Sequence, residues 1–187
     1  MYTKCRAGAL WDEERNLGTR GRRHAKQGAS HSWSHLPPAP RYLPGRFTPA
    51  GCVRIYAHRD AALATGAIIA APSQDPRVMV EEYGALISPS FVLAPLDQKE
   101  RWVQDFGEKK KYERHFGVKM ETLGRAPFWG VKGMWMWKMD AKSAYHHGWI
   151  QRKDWRWMIV DCGPSADGSL PTMENPRFVI WIAVPFG

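Results

Sequence analysis

Tryptophan is concentrated in one part of this chain. Each indole side chain can remove roughly 150–250 Å² from contact with water. Soluble proteins seldom leave a contiguous apolar patch of more than a few hundred Å² exposed unless a partner binds there. These side chains therefore belong either to a hydrophobic core or to an interface. Residues 125–160 contain six of the ten tryptophans, namely Trp129, Trp135, Trp137, Trp149, Trp155 and Trp157.

Length and composition favour one small folded domain with an extension. The chain has 187 residues, and its 44% of hydrophobic residues excludes a wholly disordered protein. Its 14 prolines and 17 glycines predict many turns and short helices. We predict an extended Pro/Arg-rich arm over residues 1–50 and a Trp-rich α+β domain over residues 51–187. That domain would contain a small mixed or antiparallel sheet and one main helix over residues 97–117.

The main helix is predicted from a capping pattern followed by helical spacing. Asp97 can serve as the N-cap, with Glu100 at the third position of a capping box. The face of this helix opposite its apolar side would carry Lys109-Lys110-Lys111. This run could bind a phosphate, but Glu108 and Glu113 dilute its charge, and a solvated mixed surface is the simpler interpretation. Apolar side chains recur at about helical spacing up to Gly117: Leu96, Trp102, Val103, Phe106, Tyr112 and Phe116.

Short apolar or alternating segments predict the strands of the sheet. Residues 177–184 are apolar on both faces, as expected of a central strand. A single helical turn is predicted at residues 61–65. The other predicted strands are residues 53–57, 67–71, 78–80, 91–93, 134–139 and 154–160.

The arm carries most of the positive charge. The net charge is +9, of which residues 1–48 contribute +6. An arm of this kind has no core of its own, so its aromatic rings would each fill a separate pocket on a partner, and the alternative is a disordered tail. The predicted partner-binding residues come from the arm, except for two tryptophans of the domain, Trp129 and Trp149. Those of the arm are Trp11, Arg20, Arg22, Arg23, Trp33, Tyr42 and Phe47.

No metal or cofactor site is predicted. The three cysteines, Cys5, Cys52 and Cys162, are far apart and odd in number, which favours neither a disulfide framework nor a zinc knuckle. His31 and His35 have the i, i+4 spacing of a metal pair, but the prolines that follow them argue against a helix. Nucleotide-binding and zinc-protease motifs do not occur in the sequence.

An enzyme is the minor functional alternative. It would use Cys162 as a nucleophile, with His146 or His147 as the base. A buried or merely loop-borne cysteine is much commoner than a catalytic one. We therefore predict a protein that is not an enzyme.

The favoured hypothesis is a non-catalytic structural subunit of a large mitochondrial assembly, with an accessory subunit of a respiratory-chain complex ranked first. It would contact other protein subunits, and its basic arm would contact RNA or acidic lipid. We predict no transmembrane segment, because the longest uncharged runs have only 14 residues. A location on the matrix side or in a membrane-associated complex follows from this hypothesis.

An RNA-contacting protein of an organellar ribosome is the main alternative. Cations beside aromatic residues, as in Trp155-Arg156-Trp157, can neutralise phosphates and stack on bases. The respiratory-chain hypothesis ranks above it because the charge excess lies mainly in the arm and is small for a protein embedded in ribosomal RNA.

Overall fold

The computed structural model describes residues 31–34, 36–94, 99–114 and 148–185. Within these ranges the fold is mixed α/β and is built from short elements. The helices are α1 (Pro49–Ala64), α2 (Pro76–Glu81), α3 (Gly107–Lys110) and the 3₁₀-helix η1 (Arg152–Trp157). The strands are β1 (Arg41–Tyr42), β2 (Ile68–Ala70), β3 (Leu86–Leu93), β4 (Arg101–Gln104), β5 (Ile159–Asp161) and β6 (Phe178–Trp181).

The sheet is mixed, which confirms the coarser part of the predicted fold class. Its strand order is β1-β3-β5-β6-β2, and β4 pairs with β3 off this path. Neighbours β1, β3 and β5 are parallel, whereas β6 is antiparallel to both β5 and β2. The long strand β3 therefore belongs to both the parallel and the antiparallel part of the sheet. Its first half lies inside the parallel part of the sheet, and its second half forms a hairpin with β4.

Helix α1 forms where the sequence predicted a strand at residues 53–57. The Thr48 side chain caps it by accepting a hydrogen bond from the Gly51 N–H at 3.1 Å, and Pro49 occupies the first turn. The strand prediction was wrong because helical spacing outweighs the local alternation. The buried residues of α1 follow that spacing: Cys52, Ile55, Arg59 and Ala62.

The main helix predicted at residues 97–117 is also wrong. Residues 101–104 form β4, paired antiparallel with β3, and α3 spans only four residues. The physical reason is a period of two, since Trp102, Gln104 and Phe106 are buried and alternate with more exposed neighbours. Residues 95–98 and 115–117 lie outside the described ranges. The longest helix within them is α1.

The other secondary-structure predictions have mixed outcomes. Residues 67–71, 91–93 and 177–184 contain β2, the end of β3, and β6, as predicted, and residues 61–65 include the last turn of α1. Residues 78–80 belong to α2 instead, because Asp75 caps the helix by accepting from the Arg77 N–H at 2.8 Å. Residues 154–160 begin as η1 and become β5 only at Ile159. The strand predicted at residues 134–139 lies outside the described ranges.

The core lies on the sheet and beneath α1. The Trp102 and Trp181 rings pack with their centroids 5.4 Å apart, and Phe178 and Ile55 are almost fully buried. In the Trp-rich stretch, Trp157 is buried, whereas Trp149 keeps 43% of its surface exposed. Within the described residues, we find no helix long and apolar enough to cross a bilayer.

Candidate functional site

A buried carboxylate lies where β5 ends. Asp161 is fully buried and forms a two-pronged ion pair with Arg177, from Nε at 2.8 Å and from Nη2 at 2.9 Å. The Tyr42 hydroxyl donates to the same carboxylate at 2.6 Å, and the Gly163 N–H donates at 2.8 Å. We call these four residues the anchor network. Four donors occupy the carboxylate, so it has little capacity left for a substrate.

The ionisation of the anchor network fits a structural role. Burial, followed by the hydrogen bond to Asp161, raises the pKa of Tyr42 to about 12. The hydrogen bond to Asp161 also raises the pKa of Arg177. Both groups therefore keep their protons at neutral pH, which is unsuitable for general acid–base catalysis.

The environment of Cys162 is unfavourable for a nucleophile. The residue is fully buried, and burial raises the pKa of its thiol well above the ordinary range. Burial also raises the pKa of Cys52. The reactive form of cysteine is the thiolate, which both environments disfavour. The possible bases His146 and His147, like Cys5, lie outside the described residues.

A second cluster lies at the other end of β5. The Trp33 and Trp157 rings pack edge-on with centroids 4.8 Å apart, and the His31 ring lies 5.2 Å from Trp33. The backbone of this segment is also attached to the body, because the Ser34 N–H donates to the Tyr112 carbonyl at 2.8 Å. Residues 31–34 are thereby held against the segment that follows α3. We call His31, Trp33 and Trp157 the indole cluster.

Charged groups beneath the indole cluster are paired with one another. The carboxylate of Glu113 lies 2.8 Å from His31 Nδ1 and 3.2 Å from the buried Lys109 Nζ. The hydrogen bond from His31 is the largest cause that lowers the pKa of Glu113 to about 2, whereas burial lowers the pKa of Lys109. The buried Asp154 accepts from the His31 backbone N–H at 3.0 Å. The acidic side chains Glu113 and Asp154 therefore bind groups of the same chain.

One exposed cation stacks on the indole cluster, and two others pair with a glutamate of the neighbouring helix α3. Glu108 is paired with both Arg41 and Lys111, and the Arg156 guanidinium lies 4.1 Å from the centroid of the Trp157 ring. The hydrogen bond from Lys111 lowers the pKa of Glu108. A cation stacked on an indole is held in place while its charge stays in solvent. We use the name basic end for Trp33 and Trp157 together with five exposed cations, Arg41, Lys110, Lys111, Arg114 and Arg156.

The described part of the chain contains four of the predicted partner-binding residues. Trp33 belongs to the indole cluster, Tyr42 to the anchor network, and Phe47 packs against the chain's own core. Trp149 is exposed and forms a backbone bridge with Ala183. Partner binding by these residues stays a prediction, because their contacts here are intramolecular. Five others lie outside the described ranges: Trp11, Arg20, Arg22, Arg23 and Trp129.

Two features of these sites were missed in the sequence. Asp161 is the last residue of the buried strand β5, and Arg177 directly precedes β6, so adjacent antiparallel strands bring them together. The run of positive charge at Lys109-Lys110-Lys111 was recognised in the sequence, but the different burial of its three lysines was not. Lys109 is buried, whereas Lys110 and Lys111 are exposed. Within the described residues, no group of three His, Cys, Asp or Glu side chains is placed to hold a metal ion.

A scan against models of known protein families finds no match, and a search of curated proteins also finds none.

Proposed function

We propose that this chain is an RNA-contacting component of a large assembly and that its basic end binds the RNA. The observation that carries this proposal is the Arg156 guanidinium on the Trp157 ring, with Lys110 and Arg114 exposed nearby in the chain segment that contacts residues 31–34. Of the neighbouring acids, Glu113 and Asp154 contact groups of the indole cluster and Lys109, and Glu108 pairs with Arg41 and Lys111. Guanidinium and ammonium groups neutralise phosphates, and an arginine already stacked on an indole offers a flat cationic surface to an unpaired base.

The exposed charges also lead us to rank the RNA-contacting hypothesis above the respiratory-chain hypothesis, which ranked first on the sequence. The respiratory-chain hypothesis ranked first because the charge excess of the body is small. In the described residues, however, twelve Lys and Arg side chains are exposed but only seven Asp and Glu side chains. Three of these cations, Arg41, Arg54 and Lys111, pair with the half-buried Glu100 and Glu108, so the surface keeps a modest excess of positive charge.

Salt-dependent binding tests this proposal. The full chain is titrated into fluorescent single-stranded poly-uridine RNA at several salt concentrations. We expect the logarithm of the affinity to fall linearly with the logarithm of the salt concentration. The double variant Lys110→Glu/Arg156→Glu should bind on the order of ten-fold more weakly and show a smaller salt slope.

The matched control is Arg46→Glu/Arg77→Glu, which makes the same charge change at two exposed positions outside the basic end. It should bind RNA nearly as well as the unmodified chain. Equal losses in both variants, or no binding of the unmodified chain at low salt, would contradict an RNA site at the basic end.

The second candidate is the accessory structural subunit that docks on protein neighbours, with a respiratory-chain complex as its assembly and the mitochondrion as its location. The hairpin of β3 and β4 favours it, because Phe91 and Leu93 are 42% and 48% exposed on one face. The register places Val103 opposite Phe91 and Arg101 opposite Leu93, so the face is apolar with a cation at its edge. Such faces are typical of protein contacts.

Sizing the native particle in mild detergent separates the two candidates. Co-migration with a membrane complex that lacks RNA supports the accessory subunit, and an RNA-containing particle supports the first proposal. The variant Phe91→Ser/Leu93→Ser should release the chain from a protein assembly. The control Leu170→Ser/Met173→Ser changes two other exposed apolar residues and should leave the assembly intact.

A further inference from the structure

Strand β4 has one open side. In the described part of the chain it pairs with β3 alone. The Asp105 N–H donates to the Pro89 carbonyl at 2.9 Å, so the odd-numbered residues of β4 direct their backbone groups towards β3. In an antiparallel ladder the alternate residues direct theirs the other way. The N–H groups of Trp102 and Gln104 therefore lie on the open side, without a hydrogen-bond partner among the described residues.

The carbonyl groups on this side can each accept a further hydrogen bond. The Trp102 carbonyl receives only a long contact of 3.4 Å from the Gln104 amide nitrogen. The Gln104 carbonyl accepts from the Phe106 N–H at 3.1 Å. Trp102 and Gln104 keep 8% and 7% of their surface exposed, whereas Ile87, which lies between β1 and β5, keeps none. An open edge of this kind is a template for pairing with another strand.

The side chains on the outer face of β4 match a second copy of the same strand. Arg101, Val103 and Asp105 share this face with the exposed Phe91, which is directly opposite Val103 on β3. Arg101 and Asp105 are exposed, and neither forms an ion pair within the part of the chain that the structure describes. Their opposite charges lie symmetrically on the two sides of Val103. An antiparallel copy centred on Val103 therefore places each Arg101 opposite the Asp105 of the other copy, which is a stabilising cross-strand pair.

The same register also pairs the open backbone groups. Trp102 of each copy is opposite Gln104 of the other, and two residues opposite each other whose backbone groups face the partner strand exchange both hydrogen bonds. A pairing centred on Trp102 would instead place Arg101 opposite Val103, and one centred on Gln104 would place it opposite Gly107. Only the pairing centred on Val103 gives each arginine a carboxylate directly across the interface.

We propose that β4 pairs with β4 of a second copy of this chain, antiparallel and centred on Val103. The β3–β4 hairpins of the two copies then form one continuous antiparallel sheet. On its outer face, Phe91 and Val103 of each copy make an uninterrupted apolar row across the two-fold axis. The contact is symmetric and therefore closes as a dimer. It uses no residue of the basic end, so it is independent of RNA binding.

Analytical ultracentrifugation of the full chain tests this pairing by exchange of charge. We expect a concentration-dependent equilibrium between monomer and dimer. Asp105→Arg places two arginines opposite each other and should weaken dimerisation on the order of ten-fold. The double variant Arg101→Asp/Asp105→Arg restores opposite charges in the same register and should recover most of the affinity. A chain that stays monomeric up to its solubility limit would overturn the proposal, and so would a double variant as weak as Asp105→Arg.

Proline substitution tests the open edge itself. Gln104→Pro removes an N–H that faces away from β3, so the chain should keep its circular dichroism spectrum but lose the dimer. Glu81→Arg is the charge control, because it makes the same change as Asp105→Arg at an exposed position outside β4. It should leave the dimer affinity nearly unchanged. A folded Gln104→Pro variant that still dimerises, or equal losses in Glu81→Arg and Asp105→Arg, would contradict pairing through β4.

Discussion

Asp161 shows how much of this fold depends on a single charged residue. Its carboxylate is fully buried, and the cation that compensates it lies at the start of the next strand. A buried ion pair often contributes little compared with well-packed apolar residues, but a buried charge left without its partner is strongly destabilising. Arg177 is therefore needed mainly because Asp161 is present.

Arg177→Ala should lower the free energy of unfolding by about 3–5 kcal/mol. The reason is that the Asp161 carboxylate then loses both of its charge-assisted bonds while remaining buried. Denaturant titration followed by tryptophan fluorescence measures the loss. The exposed Arg77 is the control, and Arg77→Ala should change stability by less than about 0.5 kcal/mol. Similar small losses in both variants would mean that the ion pair does not stabilise the fold.

The lowered pKa of Glu113 predicts that the fold becomes less stable at low pH. Its pKa is lowered from 4.5 to about 2, mainly by the hydrogen bond from His31. Because the folded-state pKa is the lower one, the stabilisation is complete above the ordinary pKa and is lost as pH falls from about 4.5 towards 2. Glu113→Gln should therefore be less stable than the unmodified chain at pH 7, and the difference should vanish near pH 2. A difference that stays constant between those pH values would contradict the assignment.

Among the elements, the sheet strands could be predicted better than the segments beside them. β2 and β6 are short uninterrupted apolar runs, which are typical of buried strands. The hairpin strand β4 was mistaken for a helix because Asp97 and Glu100 resemble a capping box. The alternation of Trp102, Gln104 and Phe106 was already visible in the sequence.

Helix α1 illustrates the opposite error. Val53, Ile55 and Ala57 alternate like a strand, yet the burial follows a helical stripe. Thr48 and Pro49 were the available signal, because together they form a typical helix start. In α1 a short alternation was given more weight than the signals of a helix start, whereas in β4 an apparent cap and helical spacing were given more weight than a short alternation.

The turn after β5 provides a prediction at this scale. Gly163 and Gly168 both have left-handed backbone angles, with φ of 82° and 75°. A Cβ at Gly163 would lie 2.6 Å from the Phe47 ring, whereas one at Gly168 meets nothing within 4 Å. Gly168→Ala should therefore cost about 1–2 kcal/mol from backbone strain alone. Gly163→Ala should cost more, and thermal unfolding measures both. Equal losses would show that Phe47 yields easily.

At the scale of the whole molecule, residues 36–50 are in close contact with the rest of the described fold. β1 pairs with β3, Tyr42 bonds to Asp161, and Phe47 packs against the core. The sequence predicted this region as part of an arm, because its prolines and charges give it no core of its own. The Tyr42–Asp161 contact spans 119 residues, and β1 pairs with a strand 45 residues further along the chain. A single sequence contains no signal for pairings at such distances.

Truncation distinguishes a detachable arm from an integral segment. A chain that begins at residue 51 should lose cooperative thermal unfolding, because Asp161 and the edge of β3 lose their partners. A chain that begins at residue 31 keeps these contacts and should unfold cooperatively. Calorimetry of the two chains makes the comparison. Cooperative unfolding of both at similar Tm would show that residues 31–50 are dispensable for the fold.

The anchor network also has a consequence for biosynthesis. Tyr42 is synthesised 135 residues before Arg177, which supplies the compensating cation, and Asp161 is synthesised 16 residues before it. A nascent chain on the ribosome therefore cannot complete its sheet until residue 177 has emerged from the exit tunnel, and pairings between distant residues form slowly. Until then its apolar strands remain open to misassociation, so we expect this protein to depend on chaperones during translation.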